Sequence, residues 1–356
     1  MPSSSKRRHQ DDEERRNPRA KKQRHLYLVL DDWKDGYSIH KLDAENMAHF
    51  LPQPAALRVA APDIAPMAFA AVGTSILIAN KPPCSRDQRA RQIMVYDTET
   101  AALGFGPSLP DWHLPDLGTG MAAGDKLYAL TWLFDEQLGC FSSLQVLSRE
   151  PVVWDPTMMW SWNRALTSPP NFGHNFEHGR ISSYALHPDG RTIFMSIEGS
   201  TYTFDTSNGV CRCVGEWALP FRGQAYFDGD LDAWVGLHHN ENGYLCCCPV
   251  ASRSAAAAGQ PDCKMLREKL FRRGGEEKYP KGRYLGATLT YMGNSRFCLA
   301  ESVLRHPDRV EAVLHITLFG LKYDQMGELQ TTTRRTTRSY ALSKRNRLFS
   351  HALFWM

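Results

Sequence analysis

Hydrophobic and polar positions alternate with a period of two over short stretches of this chain, and glycine-containing turns separate the stretches. Leu26, Leu28 and Leu30 interleave with Tyr27 and Val29, a turn over Asp31 to Gly36 follows, and a second strand is expected from Tyr37 to Leu42. Alternation bounded by turn residues is the pattern of a β-hairpin. A related unit, strand, tight Gly turn and second apolar strand, recurs at Phe69 to Ile78, Met121 to Leu130, Tyr184 to Met195, Tyr226 to Leu237 and Leu289 to Leu299. The turn glycines Gly73, Gly124, Gly190, Gly229 and Gly293 are 51, 66, 39 and 64 positions apart. Lengthened by loops at Asn171 to Arg180, Ser252 to Gly259 and Gly274 to Gly282, this spacing fits propeller blades of about 40 to 50 residues.

A second repeat follows each hairpin: an apolar pair, an Asp, a polar turn, and a Leu-Pro or Pro-Pro further on. The best copies are Val95-Tyr96-Asp97-Thr98 leading to Leu109-Pro110, and Thr203-Phe204-Asp205-Thr206 leading to Leu219-Pro220. Weaker copies stand at Val153-Trp154-Asp155, Lys41-Leu42-Asp43 and Lys322-Tyr323-Asp324. A carboxylate at the end of a third strand can accept backbone N–H bonds in the turn, and Pro ends the pairing of the fourth. Tyr-Asp-Thr with a Leu-Pro exit resembles the degenerate kelch unit of plant propellers. Tyr27 to Asp32, His187 to Thr192, Pro220 to Ala225 and Leu231 to Leu237 together resemble a grass-expanded, uncharacterised kelch-like family, often F-box-associated. The resemblance covers about residues 26 to 356 and implies a propeller that binds protein. The 25 residues before it are too short for an F-box helical domain.

Five complete units run from about Met67 to Gln330, which leaves the hairpin Leu26 to Leu42 without a partner hairpin. The C-terminal segment offers one: Tyr340-Ala341-Leu342, a turn over Ser343 to Asn346, and Leu348 to Phe354. Joining residues 26–42 to 339–354 would remove exposed sheet edges. The expected fold is therefore all-β, a six-bladed kelch-like β-propeller over residues 26–356 whose N- and C-terminal strands close one blade, behind a disordered basic tail of residues 1–25.

Composition supports one large globular unit, with 42% hydrophobic and 22% charged residues. The formal charge of +4 is concentrated: residues 1–25 hold nine Lys/Arg against four Asp/Glu, and the remainder is nearly neutral. A basic nucleic-acid-binding face is not indicated. No apolar run reaches the roughly 18 residues of a membrane span, and no secretory signal opens the chain, so an intracellular protein with no membrane partner is expected. The nine cysteines read as reduced core thiols, because Cys211-x-Cys213 and Cys246-Cys247-Cys248 lack the spacing of a zinc site.

Two basic clusters, Lys6-Arg7-Arg8 and Arg19-Ala20-Lys21-Lys22-Gln23-Arg24, have the layout of a bipartite nuclear localisation signal. They imply an import receptor as partner and a nuclear location, with a plain solvated tail and the cytoplasm as the alternative. Asp228-Gly229-Asp230-Leu231-Asp232 starts like a calcium loop but has Ala233 and His239 where Gly and Glu are needed, so an Asp-Gly turn is expected. His174, His178, His238 and His239 lie near no catalytic motif. Trp154, Trp160 and Trp162 read as inter-blade packing, and Trp234 as core. The run Thr331 to Arg338 reads as an edge strand or linker. The innermost strands, Phe69 to Val72, Gly120 to Ala123, Tyr184 to Leu186, Ala225 to Phe227 and Ala287 to Tyr291, carry almost no carboxylates, which predicts a small apolar channel. The chain is thus expected to be a non-catalytic protein-interaction scaffold without cofactor or metal. The alternatives are a metal-dependent hydrolase acting in the channel, and a nucleic-acid-associated protein acting through the tail.

Overall fold

The computed structural model describes residues 23–61, 67–80, 92–108, 120–135, 139–152, 155–164, 181–240, 244–253, 259–271, 283–305, 311–332, 335–344 and 349–356. Strands organise these residues into antiparallel meanders. The first sheet holds β1 (Leu26–Trp33), β2 (Gly36–Leu42) and β3 (Leu57–Ala60); the second holds β4 (Met67–Val72), β5 (Ser75–Asn80), β6 (Gln92–Asp97) and β7 (Leu103–Ser108). The third consists of β8 (Met121–Ala123), β9 (Lys126–Asp135), β10 (Gly139–Val152) and β11 (Asp155–Arg164). The fourth, β12 (Ile181–Leu186), β13 (Thr192–Ile197), β14 (Ser200–Asp205) and β15 (Val210–Gly215), is continuous with the fifth, β16 (Gly223–Asp228), β17 (Ala233–Leu237), β18 (Leu245–Pro249) and β19 (Lys264–Met265). Their junction is a short parallel pairing of β12 with β16, from Ser183↔Gly223 to Ala185↔Ala225. The sixth contains β20 (Arg283–Gly293), β21 (Arg296–Leu304) and β22 (Glu311–Tyr323), with β23 (Leu329–Thr331) and β24 (Thr336–Ser343) sharing the outer edge of β22. The last strand, β25 (Ala352–Trp355), pairs with β1 as the fourth strand of the first sheet.

Alternation along each strand explains how the sheets stack. In β1, Leu26, Leu28 and Leu30 face the sixth sheet, packing with Ala300, Leu314, Ile316 and Leu342, while Tyr27 and Val29 face the second, packing with Phe69, Ile76 and Ile78. Opposite faces of a strand carry alternate residues, so a strand apolar at every position is buried on both sides. The same division runs onward: apolar clusters lie between the second and third sheets, third and fourth, fourth and fifth, and fifth and sixth. Trp234, fully buried between the fourth and fifth sheets, packs 5.1 Å from Phe194 between ring centroids and donates its indole N–H to the Leu186 carbonyl at 3.0 Å.

Four of the five Asp-terminated turns form as expected, whereas Asp155 does not end a third strand but opens β11, opposite Val152 of β10. The carboxylates of Asp43, Asp97, Asp205 and Asp324 each accept a backbone N–H two residues on, at 2.8 to 2.9 Å. Gly73, Gly124, Gly190 and Gly293 have positive φ, whereas at β16–β17 the left-handed residue is Asp232, not Gly229. The Asp228 carboxylate caps that four-residue turn by accepting the amides of Asp230 and Leu231 and the Ser295 hydroxyl.

Two expectations are corrected. The first turn is not Asp31 to Gly36: β1 runs on to Trp33, with a shift of register between Leu30 and Trp33. Asp31 and Asp32 are turn formers by type, but here the Asp31 carboxylate pairs with the Lys344 ammonium, both buried, and Asp32 bonds His40 Nε2 at 3.1 Å. The C-terminal residues also do not supply a hairpin to the first sheet. Residues 336–343 belong to the sixth sheet, and only Ala352–Trp355 joins β1. Thr317 and Thr337 share a hydroxyl contact across that pairing, so the Thr/Arg run enters an outer strand, as the edge-strand reading has it.

Candidate functional site

The leading strands converge on one space. β4, β8, β12, β16, β20 and β25, with short flanking segments, line a cavity of about 590 Å³. Each contributes a backbone edge and the side chains nearest to it. The wall is apolar at Phe69, Leu289, Phe349 and Leu353, and polar at Gln224, Thr288, Thr290 and three tyrosines.

The polar groups form a belt from sheet to sheet. The Tyr184 hydroxyl of β12 lies 3.3 Å from the Gly120 carbonyl and 3.1 Å from Gln224 Oε1 on β16. Gln224 Oε1 also accepts from the Tyr226 hydroxyl at 3.1 Å, and that hydroxyl lies 3.1 Å from the Leu289 carbonyl on β20. Thr290 bonds the Tyr226 phenol and lies 3.4 Å from the Leu353 carbonyl of β25. The belt thus links the third, fourth, fifth, sixth and first sheets. Burial pushes the Tyr184 and Tyr226 phenols up, so both remain protonated at neutral pH. The Tyr291 phenol is pushed up to about 12, first by burial and then by the Asp228 carboxylate.

At the C-terminal side of the wall, His351 is buried with its Nδ1 2.8 Å from the Ser302 hydroxyl and 2.9 Å from that of Ser350. Burial, and then the Lys344 charge, push its imidazole down to about 3, so it is neutral. Arg222, just before β16, is exposed and is the one ionised side chain on the described wall. The expectation of a small apolar channel is therefore corrected. Inner-strand tyrosines bring hydroxyls as well as rings to the wall, and Gln224, Arg222 and residues of the 349–356 segment add further polar groups to it. Tyr184 and Tyr226 alternating on leading strands were the signal available in the sequence.

The remaining predicted residues fall elsewhere. Lys6, Arg7, Arg8, Arg19, Lys21 and Lys22 lie outside the described residues, and Arg24 is exposed ahead of β1. His174, His178 and Trp154 also lie outside them. The His238 and His239 rings lie 4.8 Å apart, tilted by 45°, and His239 Nδ1 meets the Pro220 carbonyl at 3.1 Å, a structural contact. Trp160 and Trp162 pack on the cluster between the second and third sheets. The described cysteines are free thiols, and the Cys246 to Cys248 triplet is buried. Among the described residues no three His, Cys, Asp or Glu side chains converge as a metal site, and no helix is long and apolar enough to cross a membrane.

On the outside, β7 is distinctive. Among the described residues it pairs only with β6, and its Leu103 and Phe105 side chains are 50% and 78% exposed. Its sequence, Leu-Gly-Phe-Gly-Pro-Ser, is uncharged. The outer strands β3, β15 and β19 carry exposed charge, at Arg58, Arg212 and Lys264, whereas β11 also exposes an apolar residue, Met159.

A family model described as a protein of unknown function, DUF1668, matches residues 23–340. No curated protein matches the chain. Solved structures similar to it include a nidogen/laminin complex, at 12% identity over 93% of this chain and 98% of that one, TM-score 0.42. Kluyveromyces lactis Hsv2 aligns at 11% identity over 87% of this chain and 82% of its own, TM-score 0.39. The putative TolB from Agrobacterium tumefaciens aligns at 8% identity over 93% and 98%, TM-score 0.33.

Proposed function

Because the chain belongs to the DUF1668 family, whose description assigns no activity, we propose its role from its own geometry: a six-bladed, kelch-like propeller that serves as a non-catalytic protein-interaction scaffold and grips its partner along β7. Support for six blades comes from the apolar clusters, which fall between consecutive sheets and return from the sixth to the first. The observation that carries the contact is the uncharged outer strand with Leu103 and Phe105 turned to solvent. Native sheets blunt such edges with charge, Pro or bulges, and in β7 Pro107 and a register shift against β6 fall after Phe105, which leaves Leu103 to Phe105 as the part to which an extended peptide can add.

The test places a photo-crosslinking residue at Phe105 in cells that express the protein. A discrete adduct is expected, lost when Leu103 and Ala102 are changed to Asp in the same chain. A Met326→Asp control, altering an exposed apolar residue on a distant turn, should leave it intact. Retention of the adduct in the Leu103/Ala102 variant, with an unchanged melting temperature, would overturn the contact.

The same proposal includes nuclear delivery through the basic clusters at Lys6 to Arg8 and Arg19 to Arg24. Two cationic clusters on one segment can occupy two acidic subsites at once and gain avidity over either alone. A fusion too large for passive entry should be nuclear and should turn cytoplasmic when Lys21, Lys22 and Arg24 become Ala. A wild-type fusion that stays cytoplasmic would return the clusters to a solvated tail.

A further inference from the structure

We propose that the central cavity is a binding site for a small organic carboxylate with an apolar body, a role separate from the β7 contact. A volume of about 590 Å³ falls within the roughly 300–1,000 Å³ typical of small-molecule sites, which are mostly apolar with a few convergent polar groups. Phe69, Leu289, Phe349 and Leu353 supply the apolar surface.

The polar groups have a direction. Gln224 Oε1 accepts from both Tyr184 and Tyr226, so the amide oxygen is committed to the belt. A carboxamide has two N–H donors besides that oxygen. Arg222 stands two positions earlier on the same wall, joined to Gln224 through Gly223, whose positive φ turns the chain there. Its side chain is exposed, lines the cavity and forms no ion pair among the described residues. No Asp or Glu side chain lies on the described wall. Arg222 is the ionised side chain on the described wall that an anion would meet. A guanidinium matches a carboxylate in two-pronged geometry, and the Gln224 amide offers a further donor. The hydrocarbon or aromatic remainder would lie against Phe69 and Phe349.

The experiment titrates 2-naphthoate and its uncharged counterpart 2-naphthamide into the full chain by calorimetry. The acid should bind at least about ten-fold more tightly than the amide, the scale of one charge-assisted hydrogen bond. Arg222→Gln should remove that preference without lowering the melting temperature. Filling the lumen by Ala122→Phe, or by Thr288→Phe should the first not fold, should abolish binding of both probes. Equal affinities for acid and amide, an acid preference that survives Arg222→Gln, binding that persists in the filled variant, or no naphthoate binding at about 1 mM would each overturn the proposal.

Discussion

The junction between the fourth and fifth sheets and the junction between the sixth and first perform the same task by different means. At the first, the chain passes directly from one meander to the next. β12 and β16 pair through the backbone, and Trp234 fills the gap against Phe194 among Ala185, Phe221 and Ala225. At the second, segments from far apart in the chain meet, and polar side chains mark the contact. Lys344 pairs with Asp31, which is 313 positions away, and donates to the Ser350 carbonyl at 3.2 Å. Arg338 donates to the Met47 carbonyl at 3.1 Å, and Tyr340 to that of Ala48 at 3.0 Å. Apolar packing is non-directional and tolerates sliding, whereas buried hydrogen bonds and charges are satisfied in one register. The comparison teaches that junctions set by connectivity can rely on shape, while a junction between distant segments carries specific polar marks. The Asp31–Lys344 pair is accordingly read as a key for register, since burying two charges cancels much of their attraction.

The largest effect expected from breaking this comparison comes from deleting residues 349–356, which removes β25 and opens the edge of β1. Such a chain should aggregate and lose its cooperative melt by light scattering and calorimetry. A soluble, cooperatively melting truncation would show that the seam does not need its last strand. Next, Asp31→Asn and Lys344→Met should each cost about 3 to 5 kcal/mol in denaturant titrations, because each leaves a buried charge unpaired. The double change to Leu and Met should recover most of that loss. Trp234→Ala at the other junction should cost a similar 3 to 5 kcal/mol, with no partner change able to rescue it. If the double variant is no better than the singles, the key interpretation fails.

A smaller effect concerns His351, whose folded pKa is about 3 against an ordinary 6.5. The unfolded chain then binds more protons between those values, so this group's contribution is complete above about pH 6.5 and is lost as pH falls towards 3. Wild type should lose about 2 kcal/mol between pH 6.5 and 5 that a His351→Gln variant does not lose, by linkage. Parallel stability curves for the two proteins over that interval would contradict the assignment. Smallest is Asp97→Ala, which removes an acceptor for the amides of Glu99 and Thr100 at an exposed turn far from either junction. About 1 kcal/mol is expected, and the seam variants should add to it independently.

Local rules made much of the fold legible. The two-residue period of Leu26 to Leu30 marked β1, the carboxylates of Asp97, Asp205 and Asp324 marked the turns after third strands, and Gly73 and Gly293 marked left-handed turns. What stayed hidden depends on contacts across the chain. Asp31 and Asp32 look like turn residues until Lys344 and His40 are brought beside them. The assignment of residues 336–343 to the sixth sheet is decided by β22, a 13-residue strand long enough to carry two partners on one edge. Of the cavity, the leading strands were visible, but its polarity was not. A tyrosine contributes a ring or a hydroxyl to its surroundings according to which neighbour's carbonyl it meets, and no local pattern encodes that.

The pairing of β25 with β1 also bears on how the protein is made. β1 leaves the ribosome among the first folded residues, yet its outer edge acquires a partner only when Ala352 to Trp355 emerge. At synthesis rates of ~5–20 residues per second, the interval is on the order of tens of seconds. Throughout that time an apolar strand with an open hydrogen-bonding edge must be kept from other nascent chains. The yield of this protein should therefore depend on how well Leu26 to Leu30 are shielded during that interval, more than on the stability of the finished fold.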